Sequence, residues 1–138
     1  LNMGVIRIDK ERALMRFSVR SSLNSYKQFI SDKLEYLAEF LGAKYEVSSA
    51  YPAWEYKVDS PLREHMINVY SEIYGQEPKL EAIHAGLECS FFAGKISDVD
   101  IVSTGPNMEG IHTPKERLSI SSTIRVYKYL EQVITRIK

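Results

Sequence analysis

The sequence predicts a mixed α/β fold, and changes in hydrophobic spacing carry that prediction. Residues 13–20 alternate apolar and polar side chains, which is typical of a strand in a sheet with one wet face. From Ser22 the apolar residues recur every three or four positions, which is typical of a helix. After Pro78 short predicted strands and helices alternate. We therefore expect an α+β segment followed by an α/β segment.

The first segment predicts the order strand, strand, helix, strand. Residues 3–8 and 13–20 are the first two strands, and the polar residues 9–12 form the turn between them. The helix is expected to end at Gly42, which suits a C-cap position. A short third strand is expected over residues 45–50. The apolar stripe of the helix comprises Tyr26, Phe29, Ile30, Leu34, Leu37, Ala38 and Leu41.

Residues 51–60 break both periods and form the candidate linker between two domains. Ser60 suits a helix N-cap and Pro61 suits the first helical position, so a helix is expected from there to Gly75. Its expected buried face comprises Leu62, Met66, Val69 and Ile73.

The second segment predicts short elements followed by one long helix. Strands are expected over residues 79–84 and 100–103, with a short helix over 86–93 between them and a polar loop over 105–117. A final helix is expected over residues 119–138. Its expected inward face comprises Ile120, Ile124, Tyr127, Leu130, Ile134 and Ile137.

The composition is typical of a globular protein, with 44% apolar and 26% charged residues among 138. Lys plus Arg and Asp plus Glu number 18 each, so net charge gives no reason to expect nucleic acid or an anionic membrane as a partner. No run approaches the ~20 apolar residues of a membrane span, and no signal peptide is visible.

The single cysteine indicates the cellular compartment, and the first residues indicate whether the sequence is part of a longer protein. Cys89 cannot form an intrachain disulfide, which fits a reducing compartment, so we expect a cytoplasmic protein. The chain opens at Leu1 and leads almost at once into a strand pattern. We interpret that opening as a cut through a longer protein.

One candidate site lies where a predicted strand leads into a helix, at Ile83-His84-Ala85-Gly86-Leu87-Glu88-Cys89. Ligands of α/β proteins gather outside the carboxyl ends of strands, and small residues let a ligand approach the backbone. Because helix N–H groups favour an anion, this turn could hold a carboxylate beside His84. Alternatively, Gly86 makes a tight turn and Glu88 complements the helix dipole, with no ligand involved.

A second candidate site lies in the polar loop, at Gly110-Ile111-His112-Thr113-Pro114-Lys115-Glu116-Arg117. The imidazole of His112 could reach a metal ion. Glu116 could then orient the ring by accepting a hydrogen bond from its other N–H. Alternatively, His112 is a surface histidine and Glu116 is a glutamate at the entry to the last helix.

Four further residues can be interpreted as structural or solvent-exposed residues, or as functional ones. Arg20 ends the polar face of the second strand, where it is either solvated or clamps a substrate carboxylate. Cys89 has no base beside it in sequence, which favours a small packed thiol over a nucleophile. His65 flanks the buried face of its helix, and Trp54 fits aromatic packing at a domain junction better than a ligand groove.

Five stretches together resemble the aminoacyl-histidine (Xaa-His) dipeptidases, the carnosinase-like branch of the co-catalytic dizinc exopeptidases. They occur in the family's order over nearly the whole chain. The pair His-Ala-Gly-Leu-Glu-Cys and Gly-x-His-x-Pro-x-Glu-Arg, in this order, is fairly specific. The stretches are residues 17–22, 42–47, 50–54, 82–89 and 110–117.

The resemblance implies a longer enzyme, whose catalytic domain binds two zinc ions and carries an inserted lid domain. Residues 1–56 would be the second half of the lid or dimerisation domain, and residues 57–138 the closing segment of the catalytic domain. His112 would be a zinc ligand, and Glu116 its nearby support. No catalytic residue is implied within this chain. The implied substrate contacts are His84, Ala85, Gly86, Glu88 and, from the lid, Arg20.

The resemblance also implies the chemistry of the parent enzyme, which would hydrolyse dipeptides ending in histidine, carnosine-like ones included. Two zinc ions would polarise the scissile carbonyl and lower the pKa of a bridging water toward ~7, and a glutamate would take the water's proton. This sequence contains no His-x-Asp ligand stretch, no paired glutamates and no Gly-Gly-His-Ser-Gly. Ser90 stands where a glycine is usual after the cysteine, which could tighten the turn.

The chain alone supplies one convincing zinc ligand, His112, whereas a catalytic zinc needs about three. We therefore expect the isolated chain to be inactive and to lack ordered zinc. Its partners would be the missing N-terminal part of the same protein and a dipeptide substrate. Open strand edges and an uncovered apolar stripe favour a homo-oligomer. The alternative function is a non-catalytic binding or assembly module with the same architecture.

Overall fold

A computed structural model describes residues 1–82 and 87–137, and it confirms the mixed α/β class. The described part of the chain forms helices and two small antiparallel sheets. Within it, no helix has the length and apolar character needed to cross a membrane. The elements are β1 Asn2–Ile8, β2 Ala13–Ser18, α1 Asn24–Phe40, α2 Pro61–Tyr74, α3 Glu88–Lys95, β3 Met108–Glu109, β4 Arg117–Leu118 and α4 Ile120–Thr135.

The chain divides into two compact units. The first comprises Leu1–Tyr56 and Ala82–Val99, and the second comprises Lys57–Glu81 and Asp100–Lys138. One division between the units falls between Tyr56 and Lys57, and Ala82–Val99 groups with the first unit. The assignment of residues 1–56 to a lid and residues 57–138 to a catalytic domain stays a prediction.

The turn of the β1–β2 hairpin is closed by one carboxylate. The Asp9 carboxylate accepts hydrogen bonds from the main-chain N–H groups of Glu11 and Arg12, both at 2.9 Å. These bonds, first that from Glu11, hold the pKa of the Asp9 carboxyl below its usual value. The polar turn predicted at residues 9–12 is therefore confirmed, and its chemistry is that of an aspartate bonding to its own backbone.

The apolar side chains of the first unit are mostly exposed. Phe17 on β2 keeps 38% of its surface exposed, and no residue of α1 is fully buried. The sheet predicted to have one wet face therefore has both faces largely exposed in the described part of the chain. A period-two pattern identifies the apolar face of a strand, but a covering layer has to come from elsewhere.

Helix α1 ends at the predicted glycine. Gly42 adopts a left-handed φ of 65°, and its N–H donates to the carbonyl of Glu39 at 3.0 Å. The N–H of Ala43 donates to the carbonyl of Ala38 at 2.8 Å. This pair of bonds is a Schellman motif, which satisfies carbonyls that the helix leaves without partners.

Helix α3 contains a glycine for a packing reason. The helix continues to Lys95, past its predicted end at residue 93. A Cβ atom placed on Gly94 would lie 2.9 Å from Cγ of Pro52. The close approach of helix and proline therefore requires glycine at this position, whereas helix termination does not explain it.

Three predicted strands are not formed by the described residues. Residues 45–50, 79–82 and 100–103 have no strand partner there, so those predictions are wrong. The rest of the predicted strand at residues 79–84, namely Ile83 and His84, lies outside the described residues. A strand exists only when a neighbour accepts and donates its backbone hydrogen bonds, and sequence alone does not supply that neighbour.

The core of the second unit forms where α2 packs against α4. Tyr129 of α4 donates its hydroxyl hydrogen to the carbonyl of Met66 on α2, at 2.7 Å. Nε2 of His65 lies 3.0 Å from the carbonyl oxygen of Val133, which gives the α2–α4 pair a second polar contact. Ile73, predicted to be inward, is exposed. The buried cluster comprises Met66, Val69, Tyr129 and Val133.

The predicted inward face of α4 is wrong for most of its length. Ile120 keeps 77% and Tyr127 keeps 68% of their surface exposed. Helix α4 carries two apolar stripes, and the stripe that contains Tyr129 and Val133 packs on α2. Leu130 lies at the border of the two stripes and contacts the core. The exposed stripe comprises Ile120, Ile124, Tyr127 and Ile134.

The N-terminus of α2 is capped twice. The Ser60 side chain accepts from the N–H of Arg63 at 3.1 Å, as predicted. The Asp100 carboxylate accepts from the Ser60 hydroxyl at 2.6 Å and from the N–H of Leu62 at 2.9 Å. Partial burial acts to raise the pKa of Asp100, but these hydrogen bonds outweigh it, so the pKa lies below its usual value.

Substitution Asp100→Ala should lower the free energy of unfolding by about 1–2 kcal/mol, because it removes the two hydrogen bonds that Asp100 accepts, from the Ser60 hydroxyl and the N–H of Leu62. The folded pKa is lower than the unfolded value of about 3.9, so this stabilisation is complete above that value and is lost as pH falls. Urea denaturation at several pH values measures it.

The matched control is Asp59→Ala, which changes an exposed carboxylate one residue before Ser60. It should alter stability by less than about 0.5 kcal/mol. A stability gap between wild type and Asp100→Ala that stays constant from about pH 6 to below about pH 4 would contradict the assignment of the pKa shift.

Candidate functional site

The candidate metal ligand His112 lies in the loop of the β3–β4 hairpin. Met108 pairs with Leu118, and Glu109 pairs with Arg117. The last pair is also joined by an ion pair of 2.7 Å between two exposed side chains. An exposed ion pair contributes little stability, so the hairpin depends mainly on its main-chain hydrogen bonds.

The base of the hairpin is fixed to α4. The N–H of Ser119 donates to the carbonyl of Asn107 at 3.0 Å, and the N–H of Asn107 donates to the Ser122 hydroxyl oxygen at 2.9 Å. Ser119 also caps α4, because its side chain accepts from the N–H of Ser122. The position of the hairpin is therefore set by the first turn of α4.

The tip of the hairpin is internally bonded. The N–H of Thr113 donates to the carbonyl of Gly110 at 3.0 Å, and the Thr113 hydroxyl donates to the same oxygen at 2.6 Å. The N–H of Glu116 donates to the carbonyl of Thr113 at 3.1 Å. The loop residues around His112 are thus held by short-range bonds, while the side chain of His112 is exposed.

His112 adopts a left-handed backbone conformation, with φ of 65°. For a residue with a Cβ atom this costs roughly 1–2 kcal/mol, and such strain clusters at functional sites. The Oε2 atom of Glu116 accepts a hydrogen bond from the main-chain N–H of His112 at 2.7 Å. This bond holds the strained residue in place.

The sequence predicts that Glu116 orients the imidazole of His112. The bond that the structure shows instead joins Glu116 to the main chain of His112. The spacing in the sequence predicts that His112 and Glu116 interact. It does not predict which donor group of His112 bonds to the carboxylate. The ring-orienting bond stays a prediction.

The remaining candidate residues belong to the first unit or lie outside the described residues. His84, Ala85 and Gly86 fall in the part of the chain that the structure does not describe. Glu88 opens α3, where its exposed carboxylate complements the helix dipole. Arg20 is exposed just beyond β2. Arg20 and Glu88 stay predictions as substrate contacts.

Ser90 is buried and has a hydrogen-bond partner. Its hydroxyl donates to the carbonyl of Leu87 at 2.7 Å. The Ser90 side chain therefore bonds within the start of α3. Cys89 beside it is a half-buried free thiol.

A cleft of about 350 Å³ in the second unit was not apparent from the sequence. The centroid of the Tyr70 ring lies 4.5 Å from that of Tyr74 and 5.5 Å from that of Tyr129, and Arg125 also lines the cleft. The residues that line the cleft come from three separate segments, 70–76, 104–107 and 122–129. The only indication of this cleft in the sequence is the four-residue spacing of Tyr70 and Tyr74, which places both rings on one face of α2.

Metal binding by the described residues is limited to isolated donors. Within residues 1–82 and 87–137, no group of three or more His, Cys, Asp and Glu side chains lies close enough to hold an ion. His112 is an exposed imidazole outside any such group.

Comparisons with known proteins cover nearly the whole chain. A family model described as peptidase family M20/M25/M40 matches residues 3–136. The cytosol non-specific dipeptidase of Escherichia coli (strain K12) is 31% identical over 137 residues, which are 99% of this chain and 28% of that protein.

A solved structure of a dipeptidase also matches nearly the whole chain. The crystal structure of aminoacylhistidine dipeptidase from Vibrio alginolyticus matches with a TM-score of 0.79 and 31% identity. The match covers 99% of this chain and 28% of that one. This chain therefore spans 28% of the length of the relatives it matches.

Substitution Gly110→Ala should distort the tip of the hairpin. Gly110 has a left-handed φ of 63°, and a Cβ atom there would lie 3.0 Å from the carbonyl oxygen of Lys115. We expect changed ¹H–¹⁵N shifts throughout residues 109–117 and a local cost of roughly 1 kcal/mol. Gly105→Ala is the matched control, because its Cβ atom would meet nothing within 4 Å. Unchanged shifts in Gly110→Ala would refute the described tip.

Proposed function

This chain belongs to peptidase family M20/M25/M40, and from that premise we propose that it is the C-terminal part of a zinc-dependent dipeptidase. The family match confirms the resemblance that the sequence stretches indicate. Both relatives compared above carry dipeptidase names, and the structural match extends over 99% of this chain. Because the chain spans 28% of each relative, the activity belongs to the longer parent enzyme in this proposal.

His112 is the proposed metal ligand of this segment. The observation that carries the proposal is the exposed imidazole on an internally bonded loop, whose backbone is held in a strained conformation. A neutral imidazole is the commonest nitrogen ligand of zinc. When bound, two zinc ions would polarise the scissile carbonyl and activate a water. The donor set fits only in part, because the described residues offer no cluster of three ligands.

The remaining zinc ligands and the general base are proposed to come from the parent enzyme's other segments. A catalytic zinc takes about three protein ligands, so a single imidazole holds it weakly. The isolated chain is accordingly proposed to be inactive. Its own proposed contributions to catalysis are the imidazole of His112, on a loop whose backbone is held by its own bonds, and contacts to the substrate.

The proposed substrates are dipeptides with a C-terminal histidine. The support is the name of the Vibrio relative, whereas the name of the Escherichia coli relative supports a broader range of dipeptides. The helix entry near Glu88 provides main-chain N–H groups that suit a substrate carboxylate, and Arg20 provides a cation. The proposed contacts are His84, Ala85, Gly86, Glu88 and Arg20.

The proposed location is cytoplasmic, and the name of the Escherichia coli relative supports it. The proposed partners are the rest of the parent protein and, in its absence, a second copy of this chain. The exposed stripe of α4 carries large apolar side chains, which associate rather than remain in water. This stripe is expected to pack against the parent enzyme.

A non-catalytic binding or assembly module is the second candidate function. Its support is the combination of uncovered apolar surface with no three-donor cluster among the described residues. The upstream reading frame of the gene distinguishes the two. Under the peptidase proposal the missing zinc ligands should be encoded there, in the His-x-Asp stretch and paired glutamates that the resemblance implies, and under the assembly-module proposal they should be absent.

Substitution His112→Ala should abolish activity of the enzyme reassembled with its upstream part. Loss of a zinc ligand should lower kcat/KM for carnosine by at least about 100-fold, and by a similar factor for a dipeptide without histidine. The isolated wild-type chain should show no turnover. Lys115→Ala, an exposed side chain in the same loop, is the control and should retain activity. Full activity of His112→Ala would refute the ligand assignment.

The isolated chain should form dimers or larger species at tens of micromolar, as measured by light scattering. Ile124→Lys should shift the population toward monomer, because it charges the exposed stripe of α4. Lys128→Ala, which removes an exposed charge beside the stripe and leaves its apolar side chains in place, should leave the distribution unchanged. A monomeric wild-type chain at that concentration would rule out this association.

A further inference from the structure

We infer that Glu116 is a positioning residue that acts on His112 through the main chain. Its carboxylate holds the backbone of His112 in the left-handed conformation and thereby sets the direction in which the imidazole leaves the loop. The inference rests on the proposed function only where the imidazole is taken as a metal ligand. The main-chain hydrogen bond itself can be tested without any metal.

The conformation of His112 requires a specific restraint. Of the six left-handed residues in the described part of the chain, three are glycines, which adopt that conformation freely. His112 carries a ring on its Cβ atom, and steric contact with its own carbonyl favours a return to negative φ. Such a return would rotate the Cα–Cβ bond and carry the imidazole to another side of the loop.

The hydrogen bond from His112 to Glu116 supplies that restraint. Its N···O distance of 2.7 Å is that of a charge-assisted bond, which is stronger than a bond between neutral groups. The backbone of Glu116 is itself anchored, since its N–H donates to Thr113 and the next residue, Arg117, opens β4. The acceptor therefore stands on a fixed part of the hairpin.

A bond to the main chain differs in its consequences from a bond to the ring. A carboxylate on the ring would select a tautomer and would lose its partner in His112→Ala. A carboxylate on the main chain keeps its partner whatever the side chain at residue 112. Glutamine also retains an acceptor oxygen, so Glu116→Gln preserves the restraint and Glu116→Ala removes it.

The hairpin provides a matched control carboxylate. Glu109 lies on β3 and contacts the Arg117 side chain at 2.7 Å, so Glu109→Ala removes the same charge from the same hairpin. It leaves the His112 to Glu116 bond in place. A general effect of charge or of hairpin stability would therefore be common to both alanine variants.

Amide hydrogen exchange of residue 112 tests the inference, measured by NMR on the metal-free 138-residue chain. At about pH 7, where carboxylates are ionised, Glu116→Ala should speed exchange at residue 112 by about 10-fold. Glu116→Gln should speed it by less than about 3-fold, and Glu109→Ala should leave it unchanged. His112→Ala should keep the amide protected. Unchanged shifts at α2 and α4 show that each variant is folded.

Two results would overturn the inference. One is equal exchange at residue 112 in wild type and Glu116→Ala. The other is equal acceleration by Glu116→Ala and Glu109→Ala, which would mean that the hairpin merely opens.

The zinc affinity of the reassembled enzyme tests whether the bond to Glu116 orients the imidazole of His112 for metal binding. Glu116→Ala should weaken zinc binding by about 10–100-fold, and Glu116→Gln should largely restore it. Zinc binding that is present but insensitive to Glu116→Ala would overturn this part. A reassembled enzyme that binds no zinc would refute the proposed function, while the exchange result would stand on its own.

Discussion

The packing of α2 against α4 is the constraint on which the second unit depends. Met66 and Val69 of α2 meet Tyr129 and Val133 of α4 in its buried cluster. Burying side chains of this size stabilises a fold by about 1.5–3 kcal/mol each, before conformational entropy is subtracted. The hydroxyl of Tyr129 adds a directional bond across the pair, and burial raises the pKa of that hydroxyl. Asp100 is bonded to the start of α2, and the β3–β4 hairpin is bonded to the start of α4.

The candidate site inherits its position from that packing. Asn107 bonds to Ser122 in the first turn of α4, so the hairpin moves with the helix. The loop is closed by its own bonds at Gly110 and Thr113. A ligand on such a loop loses little conformational entropy when it binds, because the backbone is already ordered. The strain at His112 is offset by one carboxylate, which makes the site sensitive to a residue that need not touch a metal.

Local chemistry explains which features could be predicted from the sequence. The start of α2 at Ser60 and the end of α1 at Gly42 are encoded by residues that act on their own backbone, so they were predicted correctly. The strand predicted at residues 45–50 depends on a partner that the described residues do not provide. Helix α4 carries two apolar stripes, and periodicity alone does not say which one packs on α2. For Glu116, the sequence identified the neighbour and the structure identified the donor atom.

The central claim is that His112 completes a zinc site together with residues of the parent enzyme. The most direct measurement is anomalous diffraction at the zinc absorption edge, on crystals of the chain reassembled with its upstream part. A zinc peak at about 2.0–2.1 Å from an imidazole nitrogen of His112 is the predicted result. An occupied zinc site whose complete ligand set excludes His112 would contradict the claim.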